Sequence, residues 1–136
     1  MRYSHENKYN SDDIADNLTV KEVFEARELI ANTHIEPGLK QYIVEIVSAT
    51  RHIETVNKAY EGVIDYGASP RASIALYKAA SATAYLNQRD YVIPEDIQAV
   101  AHDVLRHRIM LNYSAQSKGL SKDDIINAII STIPVP

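Results

Sequence analysis

The sequence contains no cysteine among its 136 residues, and it has no long apolar run. Without cysteine the chain can form neither a disulfide nor a thiolate metal site, which suits a reducing compartment. A membrane-spanning helix needs about 18 or more apolar residues in succession, and no such stretch occurs. The first residues, Met1 to Lys8, also lack the apolar segment of a secretory signal. These absences favour a cytoplasmic protein.

The sequence also carries no excess of positive charge. The formal net charge is −4 at pH 7, with 14 Lys and Arg against 18 Asp and Glu. A protein that binds nucleic acid usually carries a basic face that neutralises phosphates. The one local basic cluster, Arg106-His107-Arg108, falls at a predicted helix C-terminus, where cations complement the helix dipole without any ligand. The sequence therefore disfavours nucleic acid as a partner.

The sequence has no self-sufficient catalytic motif. It contains no Gly-x-x-x-x-Gly-Lys-Ser/Thr phosphate loop, no His-Glu-x-x-His zinc motif and no Gly-x-Ser-x-Gly nucleophile elbow. Of the five histidines only His102 and His107 are close, and their spacing does not align them on one helix face. Acidic pairs such as Asp123-Asp124 stand where helices begin, so capping and the helix dipole explain them. We therefore expect no metal site and no enzyme activity from this chain alone.

Apolar residues recur at helical spacing along most of the chain, and no strand alternation of any length occurs. Thr19 and Glu22 have the spacing of a capping box. Residues 56–66 are predicted to form a mobile loop, and residues 112–118 a polar link. The prediction is an all-α fold, a small bundle of about five main helices with short links. These helices cover residues 20–31, 37–54, 70–87 and 94–108, and a last helix lies between Ser121 and Pro134.

The stretch from Gly67 to Leu86 organises the chain. Gly67 is predicted to end a loop in backbone angles that a side chain would forbid. Ser69 is a good N-cap, and Pro70 fits the first position of an alanine-rich helix. Arg71 is anomalous, because a cation at a helix N-terminus is unfavourable by about 0.3–1 kcal/mol unless an anion compensates it. Open N–H groups and a guanidinium would form a phosphate-binding corner; the simpler interpretation is a solvated arginine whose stem covers apolar neighbours.

Three runs of residues together carry a family resemblance. They are Gly67-Ala-Ser-Pro-Arg-Ala72, Asp90-Tyr-Val-Ile-Pro-Glu-Asp96 and Gly119-Leu-Ser-Lys-Asp-Asp-Ile-Ile126. In this order they closely resemble the C-terminal lid of MoxR-family AAA+ ATPases, and the resemblance covers residues 18–136. Ile93 departs from the family, which usually has Thr or Ser there. Loss of that cap costs about 1 kcal/mol, partly offset by the acids that follow it.

The resemblance implies a helical lid domain at 18–136, preceded by an exit segment from an AAA+ core at 1–17. In such ATPases the core carries the Walker motifs and binds ATP with magnesium, and the lid folds over the nucleotide. Arg71 matches the sensor-2 arginine, which reaches the γ-phosphate, and Ser69 and Pro70 would lie near the nucleotide. Without its core, the lid is expected to bind nucleotide very weakly.

The resemblance also implies partners. They are the protein's own AAA+ core, the neighbouring subunits of a ring that is expected to be hexameric, and client proteins. The clients would be remodelled or matured in a chaperone-like way, with von Willebrand factor A domain proteins among the expected partners.

Two other classes remain open from the residues themselves. A stand-alone helical adaptor would use the same bundle to bind proteins and would have no role with nucleotide. A histone-like or helix-turn-helix DNA binder would share the helix start at Val92-Ile-Pro-Glu-Asp-Ile97. The acidic net charge opposes the DNA binder.

Overall fold

Residues 17–136 are described by a computed structural model, and most of them are helical, as the sequence predicts. The number of elements differs from the prediction. Within the described range the chain forms six α-helices and a two-stranded antiparallel sheet, not five helices alone. The predicted exit segment at 1–17 lies outside the described residues, apart from Asn17. The elements are α1 (Val20–Ala31), α2 (Pro37–Ala49), β1 (Ile64–Tyr66), α3 (Arg71–Leu86), α4 (Pro94–Leu105), β2 (Met110–Leu111), α5 (Tyr113–Ser117) and α6 (Lys122–Thr132).

α3 occupies the middle of the fold and packs against α1, α2 and α4. Its inner stripe, formed by residues spaced four apart, is almost completely buried. Three of the four are alanines, whose small side chains let the neighbouring helices approach closely. The stripe is Ala72, Leu76, Ala80 and Ala84. The large buried side chains around it come from α2, α4 and α6, and they are Tyr42, Ile43, Ile46, Val47, Ile97, Leu105, Ile125, Ile126 and Ile129.

Two helices begin with capping boxes, and the sequence predicts the first of them. At α1, Thr19 Oγ1 accepts the Glu22 N–H at 3.2 Å, and the Glu22 carboxylate accepts the Thr19 N–H at 2.7 Å. Ser121 and Asp124 exchange the same two hydrogen bonds at α6, at 3.1 and 2.8 Å. Hydrogen bonds from the backbone N–H and the hydroxyl of the capping residue lower the pKa of both carboxyl groups. Both helix starts are therefore fixed by local sequence.

The prediction is wrong between α2 and α3. α2 ends at Ala49 and does not continue to residue 54. At its end the Thr50 hydroxyl donates to the Val47 carbonyl at 2.6 Å, which competes with continuation of the helix. Residues 56–66 are not a loop without structure, because they hold a 3₁₀ turn capped by Asn57 and strand β1. Such short elements leave no periodic pattern in a sequence.

The predicted polar link at 112–118 is also structured. It forms the short helix α5, whose N-cap is Asn112. The Asn112 side chain also donates to the Gly62 carbonyl at 2.6 Å, and its backbone N–H donates to the Val63 carbonyl at 3.1 Å. β2 thus pairs with β1 and is secured beside it, and the region before α3 is fixed to the region after α4.

α1 lies at the edge of the bundle. It matches its predicted range, but none of its residues is fully buried. The apolar side chains of Val20 and Phe24 on α1 are exposed, and so is that of Leu18, which lies just before the helix. α1 therefore depends on its cap and on one-sided packing against α3. Among the described residues no helix has the length and hydropathy needed to cross a bilayer.

A buried ion pair joins the end of α3 to the start of α4. Two nitrogens of Arg89 bind the two oxygens of the Asp96 carboxylate at 2.6 and 2.7 Å. Asp96 also accepts the Ile93 N–H at 2.9 Å, while the Asp96 N–H, which a Thr or Ser side chain at position 93 would accept, donates to the Ile93 carbonyl at 3.1 Å. Burial alone would raise the pKa of Asp96, but hydrogen bonds from Arg89 and from the Ile93 N–H outweigh it and lower that pKa.

Candidate functional site

Ser69, Pro70 and Arg71, the predicted site residues, lie together at the exposed start of α3. A strap, residues 67–70, leads to them from β1. Arg71 is the first residue of α3, and it forms no ion pair with any residue in 17–136. Within the described part of the chain, no carboxylate accounts for a cation at this helix N-terminus. Arg71 is exposed to solvent.

The cap of α3 differs from the prediction. Pro70, not Ser69, occupies the cap position, with helical angles of φ −55° and ψ −26° and no side-chain capping bond. The N–H groups of Ala72 and Ser73 donate to the carbonyls of Ser69 and Pro70 at 2.9 and 3.1 Å. Since these two donors are already used, the predicted phosphate corner of open N–H groups is wrong at both positions.

Two adjacent side chains fasten the strap to the end of α2. Thr50 Oγ1 accepts the Ala68 N–H at 2.8 Å, and Arg51 Nη1 donates to the Ala68 carbonyl at 2.6 Å. We call this pair of side chains the Ala68 clamp. Ala68 and Thr50 are fully buried. Sequence reasoning missed the clamp, because its members are 17 and 18 positions from Ala68 and no local pattern links them.

Gly67 permits a close approach between the strap and α2. Positive φ angles occur at the described glycines Gly62 and Gly119 but not at Gly67, so the prediction of unusual backbone angles at Gly67 is wrong. A Cβ at Gly67 would lie 2.5 Å from the Thr50 carbonyl oxygen and 2.7 Å from its carbon. Only a residue without a side chain lets the strap lie directly on the end of α2.

Gly67→Ala is therefore expected to destabilise the domain by about 1–3 kcal/mol, the usual cost of forcing an extra carbon into a packed site. Urea unfolding followed by circular dichroism measures the change. Gly38→Ala is the matched control, since its Cβ would meet only the Pro136 side chain, at 3.3 Å. Alanine is also the better helix former by about 1 kcal/mol, so this control should keep or gain stability. An unfolding midpoint unchanged by Gly67→Ala would show that the strap is not held against α2.

Within residues 17–136, the remaining candidate features do not form a second site. Among residues 17–136, no three His, Cys, Asp or Glu side chains gather as a possible metal-ligand group. In the basic cluster, Arg106 pairs with Asp123 at 2.8 Å, and Arg108 donates to the Val104 carbonyl at 2.6 Å. The second bond confirms the prediction that this cluster serves the C-terminal end of α4.

The chain matches a known family of domains. Residues 58–129 match the AAA lid domain family, and the chain belongs to that family. It is 37% identical over 120 residues to Chaperone MoxR1 of Mycobacterium tuberculosis, covering 88% of this chain and 32% of the relative. It is 36% identical over 113 residues to Protein MoxR of Paracoccus denitrificans, covering 78% and 33% of the two chains. This is the lid domain of a MoxR-family AAA+ ATPase.

A solved structure supports the same assignment. The chain superposes on the crystal structure of a "putative ATPase" from Cytophaga hutchinsonii with a TM-score of 0.81 and 44% identity. The match covers 85% of this chain and 36% of the other. The chain thus spans about a third of the length of the curated relatives it matches. The family resemblance in the sequence is confirmed.

Proposed function

We propose that this lid helps an AAA+ core to bind ATP and couples ATP hydrolysis to movement within a larger protein. The observation that carries the proposal is the exposed guanidinium of Arg71, which has no carboxylate partner within residues 17–136. The lid itself is not the enzyme in this proposal. The parent protein would be the ATP hydrolase, and Arg71 would be its sensor-2 residue.

The chemistry of this helix start suits a phosphate. A guanidinium offers several N–H donors in a planar fork that matches phosphate oxygens. Pro70 has no N–H, and the next two N–H groups after Arg71 are bound to carbonyls. Arg71 would therefore supply the main contact to the γ-phosphate, while Ser69 and Pro70 lie beside the nucleotide. ATP with magnesium would be held mainly by the core, and its γ-phosphoryl group would be transferred to water.

Arg71 would connect lid and core only while a γ-phosphate is present. After hydrolysis and phosphate release the guanidinium loses its anion, and the lid is free to rotate against the core. Because the strap is fixed to α2 and to β1, a pull on Arg71 would move the lid as a body. This is how a single side chain would convert the loss of one phosphate into a domain movement.

We further propose that the whole protein assembles into a ring, hexameric by family expectation, in the cytoplasm. The lid would then contact its own core and neighbouring subunits. A chaperone-like role in remodelling or maturing clients is supported by the name of the relative MoxR1. Proteins with a von Willebrand factor A domain are the first clients to test, in a pull-down with the full-length protein.

The sensor proposal predicts a specific change in nucleotide binding by the full-length protein. Arg71→Ala should weaken binding of a non-hydrolysable ATP analogue with magnesium by about 10-fold or more, since a hydrogen bond to a charged group contributes about 1.5–3 kcal/mol. Binding of ADP, which has no γ-phosphate, should be almost unchanged. Titration calorimetry of both ligands measures the two affinities.

Lys78→Ala is the control for this measurement, because Lys78 is an exposed cation further along the same helix α3. It should leave both affinities unchanged. Equal weakening of ATP and ADP by Arg71→Ala would contradict a γ-phosphate contact. No change in either affinity would favour the adaptor without a nucleotide role.

A further inference from the structure

The peptide that precedes the start of α3 is held by side chains instead of by regular secondary structure. Ala68 lies between β1 and α3 and belongs to neither. Its N–H is bound by Thr50 Oγ1 at 2.8 Å, and its carbonyl is bound by Arg51 Nη1 at 2.6 Å. Arg71, the proposed phosphate ligand, follows three residues later. The Ala68 clamp therefore restrains the backbone three residues before Arg71.

The hydrogen bonds of Thr50 determine which group donates and which accepts in its part of the Ala68 clamp. The Thr50 hydroxyl donates its own hydrogen to the Val47 carbonyl at 2.6 Å. With its hydrogen committed there, its oxygen can act toward Ala68 only as an acceptor, which is what the Ala68 N–H requires. Thr50 and Ala68 are both fully buried, so water cannot replace the bond if the hydroxyl is removed.

Arg51 restrains the other side of the same residue. The Ala68 carbonyl leads into the peptide bond with Ser69, and the Ser69 carbonyl accepts the first backbone bond of α3, from the Ala72 N–H at 2.9 Å. Rotation of the peptide after Ala68 would therefore tilt the first turn of α3. That turn carries Arg71, so the direction of its side chain follows from how Ala68 is held.

We infer that Thr50 and Arg51 are positioning residues that set the orientation of Arg71 toward the γ-phosphate. This inference rests on the proposed function of Arg71, and it adds a role for two residues that do not touch the nucleotide. Arg51 is the less obvious of the two, since an exposed arginine near a phosphate site would ordinarily be taken for a phosphate ligand. In this structure its Nη1 is committed to a backbone carbonyl.

The geometric part of the inference can be tested on the 136-residue chain by amide hydrogen exchange. Thr50→Val keeps the shape of the side chain and removes its acceptor, so exchange of the Ala68 N–H should accelerate about 10-fold or more. Thr50→Ser keeps the hydroxyl and should leave Ala68 protected. The amide of Ala101, buried in α4, reports global stability and should change much less than that of Ala68.

The functional part requires a double-mutant cycle on the full-length ATPase. Thr50→Val and Arg51→Met are each combined with intact Arg71 and with Arg71→Ala, and the turnover of ATP is measured. Each clamp variant should slow turnover by about 5-fold with Arg71 present, and by much less when Arg71 is absent, because contacting or coupled residues are not additive. Arg51→Lys, which keeps a donor, should recover part of the loss. Arg51 is exposed, so its variants keep the test valid if Thr50→Val fails to fold.

Each result decides between the alternatives. If the clamp variants slow turnover equally with and without Arg71, they act through stability or by direct contact, and the positioning role is overturned although the sensor proposal stands. If Arg71→Ala alone leaves turnover unchanged, both the sensor proposal and the positioning role fail. If Ala68 stays protected from exchange in Thr50→Val, the Thr50 hydroxyl does not hold the Ala68 N–H in solution, and the positioning role of Thr50 is overturned.

Discussion

Asp96→Ala is expected to lower the free energy of unfolding of this domain by about 3 kcal/mol, the lower part of the range for breaking a buried ion pair. The side chain of Asp96 is 3% exposed and that of its partner Arg89 is 21% exposed. The substitution would leave the guanidinium half-buried without its carboxylate, and the Ile93 N–H without its acceptor. A small domain has a total stability of only about 5–15 kcal/mol, so the loss should be plain in urea unfolding.

The matched control is Asp123→Ala. Asp123 pairs with Arg106 at 2.8 Å, but both of these side chains are about half exposed, at 50% and 47%. Solvent-exposed pairs contribute about 0–1 kcal/mol, so this substitution should have a small effect. If Asp96→Ala and Asp123→Ala lower the free energy of unfolding equally, the Arg89–Asp96 pair between α3 and α4 contributes no more stability than an exposed ion pair.

The same ion pair predicts a pH dependence with a definite sign. The pKa of Asp96 is lowered in the folded state, because hydrogen bonds from Arg89 and Ile93 outweigh the effect of burial. A group with a lowered folded pKa adds stability above its unfolded pKa, about 3.9 for Asp, and loses it as the pH falls through the folded value. The stability difference between wild type and Asp96→Asn should therefore be constant near neutral pH and shrink below about pH 4. A difference that grows on acidification would contradict the assigned direction.

Arg71→Ala is expected to slow ATP hydrolysis by the full-length protein about 100-fold, the usual effect of removing one preorganised donor to a developing charge. The structure gives the physical reason, since Arg71 is exposed at the start of α3 and unpaired within the described range. Truncating an exposed, unpaired side chain should hardly change stability, so the loss would be one of chemistry. Steady-state phosphate release at saturating ATP measures it.

Arg71→Lys should recover only part of this activity. A lysine keeps the positive charge but lacks the planar fork that binds two phosphate oxygens at once. Lys78→Ala, on the same helix, should leave turnover unchanged and so excludes a general effect of charge on α3. If Arg71→Ala hydrolyses ATP at the wild-type rate, the sensor role is refuted, even if the variant binds nucleotide with altered affinity.

The helices themselves were predictable because their determinants are local. Thr19 with Glu22 and Ser121 with Asp124 are capping pairs that lie one turn apart, and both occur in the structure. These interactions are fixed by neighbouring residues, whatever the rest of the fold does.

The errors lie where distant segments decide the local structure. β1 and β2 are too short to show alternation, and each exists because the other lies beside it. α2 ends early at Ala49, where the strap crosses it. The sequence singles out Gly67 for its backbone freedom, but the structure requires glycine there because the Thr50 carbonyl lies too close to admit a Cβ.

The sequence by itself determined the helical class, the start of most helices and the family, because each depends on residues within a turn or on short motifs. It also pointed to Arg71, because a cation at a helix N-terminus conflicts with the helix dipole. Only the tertiary structure decided that Arg71 has no partner within residues 17–136, and that Thr50 and Arg51 hold the peptide before it. Those contacts join positions 17 or 18 apart, and chain folding, not local propensity, brings them together.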